Sequence, residues 1–258
     1  MAYKLLILLF ILLSVGHIYP EEMCVSCHIN KIHYKSKGLC TLCHLGNAYT
    51  TRMDLAHKNI LNGDYAYFLI KDNWKVFKGN DLIEKAACRR CHTVGNEGNN
   101  IAANLNESTR EKDIKMLNDA IKNPFLFMPQ YNFSKKQIVY ILNALFNNAF
   151  YSNGSNKGYT ILHFNRGIKG KNIFDEKCGM CHKMISKKSG PLGSGSRGPN
   201  LSGLFTYEFN PIKEVKKWNE KKLREWIKNP RGIKKNALMP PIILKEEEIK
   251  EIIKTFNE

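Results

Sequence analysis

"KGNDLIEKAACRRCH" (Lys78–His92) and "KGKNIFDEKCGMCH" (Lys169–His182) are two versions of one pattern. Each passes through a mixed apolar and charged stretch and ends on Cys-x-x-Cys-His. The segments downstream of them repeat as well. The first continues through "ANL", "AIKNP" and "FMPQ" to a helical segment, the second through "GPNL", "WIKNP" and "LMPP" to another. The closing segments carry matching apolar faces. Ile138, Ile141, Leu142 and Leu145 recur at i, i+3, i+4 and i+7, as do Ile249, Ile252, Ile253 and Phe256. Ser134 and Gln137 have capping-box spacing at the start of the first. Glu246, Glu247 and Glu248 suit the positive end of the second. The pattern predicts a mostly α protein in which one domain plan is used twice.

Two further copies of the motif lie upstream, Cys24-Val-Ser-Cys27-His28 and Cys40-Thr-Leu-Cys43-His44. The four copies consume all eight cysteines. A disulfide framework would not require a His after every second Cys. A zinc site needs two close pairs to complete four ligands, and the last two motifs are 90 residues apart. A thioredoxin-like site needs one such motif in a βαβ setting, not four. Cys-x-x-Cys-His is the attachment signal for c-type haem. Cys24, Cys27, Cys40, Cys43, Cys88, Cys91, Cys178 and Cys181 then become thioethers, and His28, His44, His92 and His182 ligate iron from one face. Four covalently attached haem c groups are expected.

Each of the two long repeats resembles class I cytochrome c. In that family two terminal helices cross over one haem, and a Met from the loop before the last helix is the second axial ligand. The resemblance implies Met128 and Met239 as distal ligands. It also gives the Pro199 carbonyl the task of orienting the proximal His. The first repeat departs from the family there, with Ala103 in place of the Pro.

The segment from Glu21 to about Gly63 differs. Its two motifs begin sixteen residues apart, and it has too few apolar residues for a core of its own, so haem itself must supply one. "KIHYKSKGLCTLCHLGNAYTTRMDLAHKNIL" resembles a dihaem segment of multihaem subunits associated with cytochrome bc-type quinol oxidoreductases of anaerobic bacteria. A His before the second motif, Gly-Asn after it and a closing Ala-His carry that resemblance, here His33, Gly46-Asn47 and Ala56-His57. Of eight histidines four are proximal, leaving His17, His33, His57 and His163. His33 and His57 lie within this segment and are expected as its distal ligands, with their pairing to the two haems open. His163 reads as a surface residue, and Met53 is a spare candidate.

The expected layout is a signal peptide or N-terminal anchor at 1–16, a haem-packed bis-His dihaem module at 17–63, and class I cytochrome c domains at 64–147 and 148–258. Lys4 precedes the apolar run Leu5 to Val15, which is short for a bilayer span, and Ser14-Val15-Gly16 puts small residues at the two positions a signal peptidase reads. Asn147 to Thr160 reads as a linker, and the Gly-rich Ser186 to Gly198 as a surface insertion. Trp74, Phe77, Trp218 and Trp226 read as domain packing.

Lys and Arg number 40 against 23 Asp and Glu, a net +17. That excess suits an anionic membrane or an acidic protein. No nucleic-acid-binding signature accompanies it, so nucleic acid is not an expected partner. With both faces of all four irons assigned, electron transfer is favoured over catalysis. The expectation is a tetrahaem c-type cytochrome on the periplasmic side of the membrane. It would be a subunit or partner of a quinol-oxidising respiratory complex with cytochrome b and iron–sulfur subunits as donor, passing electrons to a soluble or membrane acceptor. A free periplasmic shuttle is one alternative. A multihaem peroxidase or oxyanion oxidoreductase, which would need one open haem, is the other.

Overall fold

The computed structural model describes residues 22–28, 40–153, 172–209 and 214–257. The leader, His17, His33, His163 and half of the expected linker lie outside the described residues. The chain divides into two compact units between Asn62 and Gly63.

Among its described residues the first unit has three short helices, α1 (Cys24–Cys27), α2 (Cys40–His44) and α3 (Met53–Ala56). The buried Glu22 carboxylate caps α2. It accepts from the Cys40 and Thr41 amides and from the Thr41 hydroxyl, satisfying donors that a helix N-terminus leaves open. Met23 N–H donates to Ala48 O at 2.8 Å, and Asn47 N–H to Ala56 O at 3.0 Å. These two bonds tie α1, the loop after α2, and α3 into one piece.

The second unit contains both long repeats, and its described elements are helical apart from two short hairpins. The first repeat comprises α4 (Trp74–Lys85), β1 (Thr93–Val94), β2 (Glu97–Gly98), α5 (Leu105–Glu111), α6 (Ile114–Lys122) and α7 (Lys135–Phe150). The capping box at Ser134 and Gln137 is formed, and Ile138, Ile141, Leu142 and Leu145 are all buried. At roughly 1.5–3 kcal/mol for each fully buried aliphatic side chain, this face dominates the local stability. Helices α4 and α7 cross at Gly79, where an added Cβ would lie 2.0 Å from the Tyr140 carbonyl. No larger residue permits that approach. Asn143, fully buried in mid-helix, is satisfied on both sides. Its amide nitrogen donates to Asp64 O and Val139 O, and its oxygen accepts from Tyr67 N–H. Helix α7 runs on to Phe150, so Asn147 and Asn148 are helical where the sequence suggested the linker's start. Their side chains donate to Phe68 O and to Asn80, pinning the last turn to α4 and the chain before it.

The second repeat comprises α8 (Ile173–Lys177), β3 (Met184–Ser186), β4 (Gly190–Leu192), α9 (Glu220–Lys228), α10 (Pro230–Ile233) and α11 (Glu246–Asn257). Phe174 of α8 meets Phe256 of α11 edge-on at 5.9 Å, and Lys177 pairs with Glu248 at 3.1 Å. Trp218, Leu223, Ile227, Ile252 and Ile253 form the main core. The stretch from Ser186 to Gly198 corrects the surface-insertion reading. β3 and β4 pair antiparallel, and Met184 and Leu192 pack against Phe174 in a second apolar cluster. Glycine and serine suit that hairpin because small side chains allow the backbone to press close.

The repeats touch each other. Asn99 Nδ2 donates to Thr206 Oγ1 at 2.9 Å, Asn200 Nδ2 donates to Phe127 O at 3.1 Å, and the Arg90 guanidinium lies 5.4 Å from the Phe209 ring centre. No helix among the described residues is long and apolar enough to cross a membrane.

Candidate functional site

Each Cys-x-x-Cys-His occupies one tight turn. His28, His92 and His182 N–H donate back to Cys24, Cys88 and Cys178 O at 3.0, 3.0 and 2.9 Å, and Cys40 to His44 form α2 itself. In such a turn residues i, i+3 and i+4 share a side. Both thiols and the imidazole therefore face the same way, as two bonds to a porphyrin edge and one to its metal require.

Three of the four motif imidazoles are aimed by backbone carbonyls. Nδ1 of His44 lies 2.7 Å from Leu61 O, that of His92 2.7 Å from Ala103 O, and that of His182 2.8 Å from Pro199 O. A carbonyl only accepts, so Nδ1 is the protonated nitrogen and Nε2 keeps its lone pair for a metal. The Ala103 substitution thus costs nothing in the first repeat, because the accepting atom belongs to the main chain. Burial also pushes the His92 pKa down, against the raising effect of its Ala103 bond, which favours the neutral, ligating form.

The thiols other than the exposed Cys27 are partly shielded. Burial drives Cys88 and Cys178 up to about 11 and raises Cys91 and Cys43 as well. Cys24 and Cys40 are raised first by burial and then by the Glu22 carboxylate nearby. Such thiols are protonated at neutral pH. Among the described residues no three His, Cys, Asp or Glu side chains converge as a zinc cage would require.

The methionines are held differently. Met239 and Cys178 are both packed against the apolar cluster around Trp218 and Ile227, and Trp226 Nε1 donates to Met239 Sδ at 2.9 Å. Met128 is half-buried, and its loop is drawn to the motif by Tyr131, whose hydroxyl donates to Ala86 O at 2.6 Å. Burial and then the neighbouring Cys88 push the Tyr131 hydroxyl up to about 12. His57 is exposed at the C-terminal end of α3, and Met53 is 73% exposed at the other end.

Sequence reasoning missed the polar work of three aromatics. Trp226 is not mere packing, and its signal was the difference between "WIKNP" and "AIKNP". Tyr131 stands three residues after its Met with no motif to mark it. Trp218 is 3% exposed, yet its Nε1 has no acceptor among the described residues. A buried indole N–H without a partner, in the cluster that Cys178 and Met239 share, fits a bound group with carboxylate oxygens, and haem propionates are such acceptors. Trp74 and Phe77, by contrast, are 51% and 59% exposed. The residues present therefore fit haem.

A family model, cytochrome c, matches residues 168–254. No solved structure matches the chain. The cytochrome c domain at 168–254 supports a c-type cytochrome, and it implies covalently bound haem c and haem-based electron transfer.

Proposed function

We propose that the protein is a tetrahaem c-type cytochrome that carries electrons on the periplasmic side of the membrane, as a subunit or partner of a quinol-oxidising respiratory complex. One observation carries this reading beyond the matched domain. Three of the four Cys-x-x-Cys-His motifs, one of them in the N-terminal unit, share the same imidazole-to-carbonyl bond at 2.7–2.8 Å. A disulfide or a solvated surface His has no need of it.

Haem would supply a one-electron couple at each motif. The chain's own contribution is attachment, orientation and insulation. Cys24, Cys27, Cys40, Cys43, Cys88, Cys91, Cys178 and Cys181 would hold the four groups. His28, His44, His92 and His182 would be the proximal ligands, with His33, His57, Met128 and Met239 as the distal set. The Leu61, Ala103 and Pro199 carbonyls fix three imidazole planes and raise their basicity. Trp226 steadies the Met239 sulfur, and Trp218 offers a buried donor to a propionate. The contacts between the repeats hold the two His/Met sites in a set relation. The lysine-rich surface suits an anionic membrane or an acidic partner even after eight propionates reduce +17 to about +9.

Intact mass of the mature protein tests the count. Four haem additions and no free thiol are expected, and three additions or bound zinc would overturn it. Gentle detergent extraction tests the partner. Recovery with a cytochrome b is expected, whereas recovery alone in the soluble periplasmic fraction would favour the shuttle.

A further inference from the structure

We infer that His57 is the partner of His28 on one iron, closing the distal face of the haem attached at Cys24 and Cys27, and that the haem of His44 takes its second ligand from elsewhere. This rests on the tetrahaem reading and adds a ligand assignment that the sequence leaves open.

The observation is a distance. The rings of His28 and His57 lie with their centroids 6.0 Å apart and their planes tilted by 52°. Two imidazoles bound through nitrogen on opposite sides of one metal ion, at bond lengths of about 2 Å, have centroids about 6 Å apart. Rings joined by a direct hydrogen bond or by stacking approach more closely. Both side chains are exposed, and neither ring makes a hydrogen bond to a described residue. Burial or polar contact with each other therefore does not account for two solvated imidazoles held at this spacing.

The spacing is built into the backbone. His28 closes α1 and His57 closes α3, both as the residue that caps its helix. Met23, one residue before α1, is bonded to Ala48, and Asn47 is bonded to Ala56, one residue before His57. Two consecutive loop residues thus grip the segments that carry the two imidazoles. Gly46 makes the grip close. Its φ is +81°, and a Cβ there would lie 2.6 Å from the Ala56 carbonyl. A side chain at Gly46 would push α3, and His57 with it, away from α1. His28 also differs from the other three proximal histidines. Its ring has no carbonyl partner among the described residues, so the imidazole across the gap is its positioning contact.

The test uses the mature holoprotein and reads spin state by EPR and visible spectroscopy. His57→Ala should turn one low-spin haem per chain high-spin, and added imidazole should restore it. The same change in a Cys24→Ser/Cys27→Ser chain, which lacks that haem, should add no high-spin signal. A new high-spin haem in that background would overturn the assignment, because His57 would then serve another iron. Where that chain fails to mature, His28→Met and His57→Met, singly and together, replace it in a redox titration. A shared iron shifts one component, and two separate irons shift two. Peptide mass of the parent separates the two levels of failure. No haem on the peptide carrying Cys24 and Cys27 would sink the tetrahaem reading, whereas haem there with a persistent His57 effect would sink only this pairing.

Discussion

The two long repeats use one plan with different fastenings. In both, the His of the Cys-x-x-Cys-His motif lies under a main-chain carbonyl and an Asp or Asn caps the helix before the Met loop, Asp113 on Met116 N–H and Asn219 on Lys222 N–H. The Met loops then diverge. In the second repeat Trp226 donates directly to the Met239 sulfur, and Ile242 N–H ties the loop to Ile227 O at 2.9 Å. The first repeat has Ala120 in the place of Trp226, and no donor to the Met128 sulfur is found among the described residues. Its loop is fastened by Tyr131, at the position of Ile242, reaching Ala86 beside the attachment motif. Loop position can be secured by any well-placed bond, whereas a bond to the methionine sulfur itself also alters that sulfur's electron donation. On the proposed ligation the two His/Met sites are chemically distinct although their scaffolds match.

The largest expected effect comes from replacing the two sulfurs proposed as ligands. Met128→His and Met239→His should each keep a six-coordinate haem and lower one potential by on the order of 0.1 V or more, inside the ~0.8 V range set by axial ligands. Redox titration with visible spectra checks it; survival of the Met-to-iron charge-transfer band in the double variant would show that neither Met is a ligand. Next is the scaffold. Gly79→Val drives a side chain into the Tyr140 carbonyl and should cost about 1–3 kcal/mol, read as a lower urea midpoint for the first repeat only. An unchanged midpoint would mean that α4 and α7 do not cross there.

Trp226→Phe isolates the fastening that only the second repeat has. Loss of the N–H restores electron donation by the Met239 sulfur and should lower one potential by roughly 20–60 mV, with the spin state unchanged. A shift in two haems, or in none, would remove the distinction between the repeats. The smallest effect is electrostatic. Glu248 is held below the ordinary carboxylate range by the Lys245 amide and then by Lys177. A depressed folded-state value means stability that is present above the unfolded value and lost as pH falls through the folded one. Glu248→Gln should therefore lower Tm slightly near pH 7, and the gap to the parent should close as the pH drops below about 4. A gap that stays constant with pH would make the loss one of packing rather than charge.

Local order was readable in the residues alone. Periodicity at 3.6, a capping box and a row of glutamates state where α7 and α11 begin and which faces they bury, because those interactions join residues three or four apart. The attachment motif is equally local. Its two thiols and imidazole meet within one turn whatever the rest of the chain does, and the helical class and the cytochrome c character of the last domain came from the same short-range patterns. The tertiary structure alone decided what aims each imidazole. The acceptors at Leu61, Ala103 and Pro199 are main-chain oxygens 17, 11 and 17 residues downstream, and a carbonyl has no letter in a sequence. The contact of Trp226 with Met239 and the approach of His28 and His57 are of the same kind. They depend on how separate turns pack, and packing distance is set by the summed shapes of many side chains rather than by the identity of the two that meet.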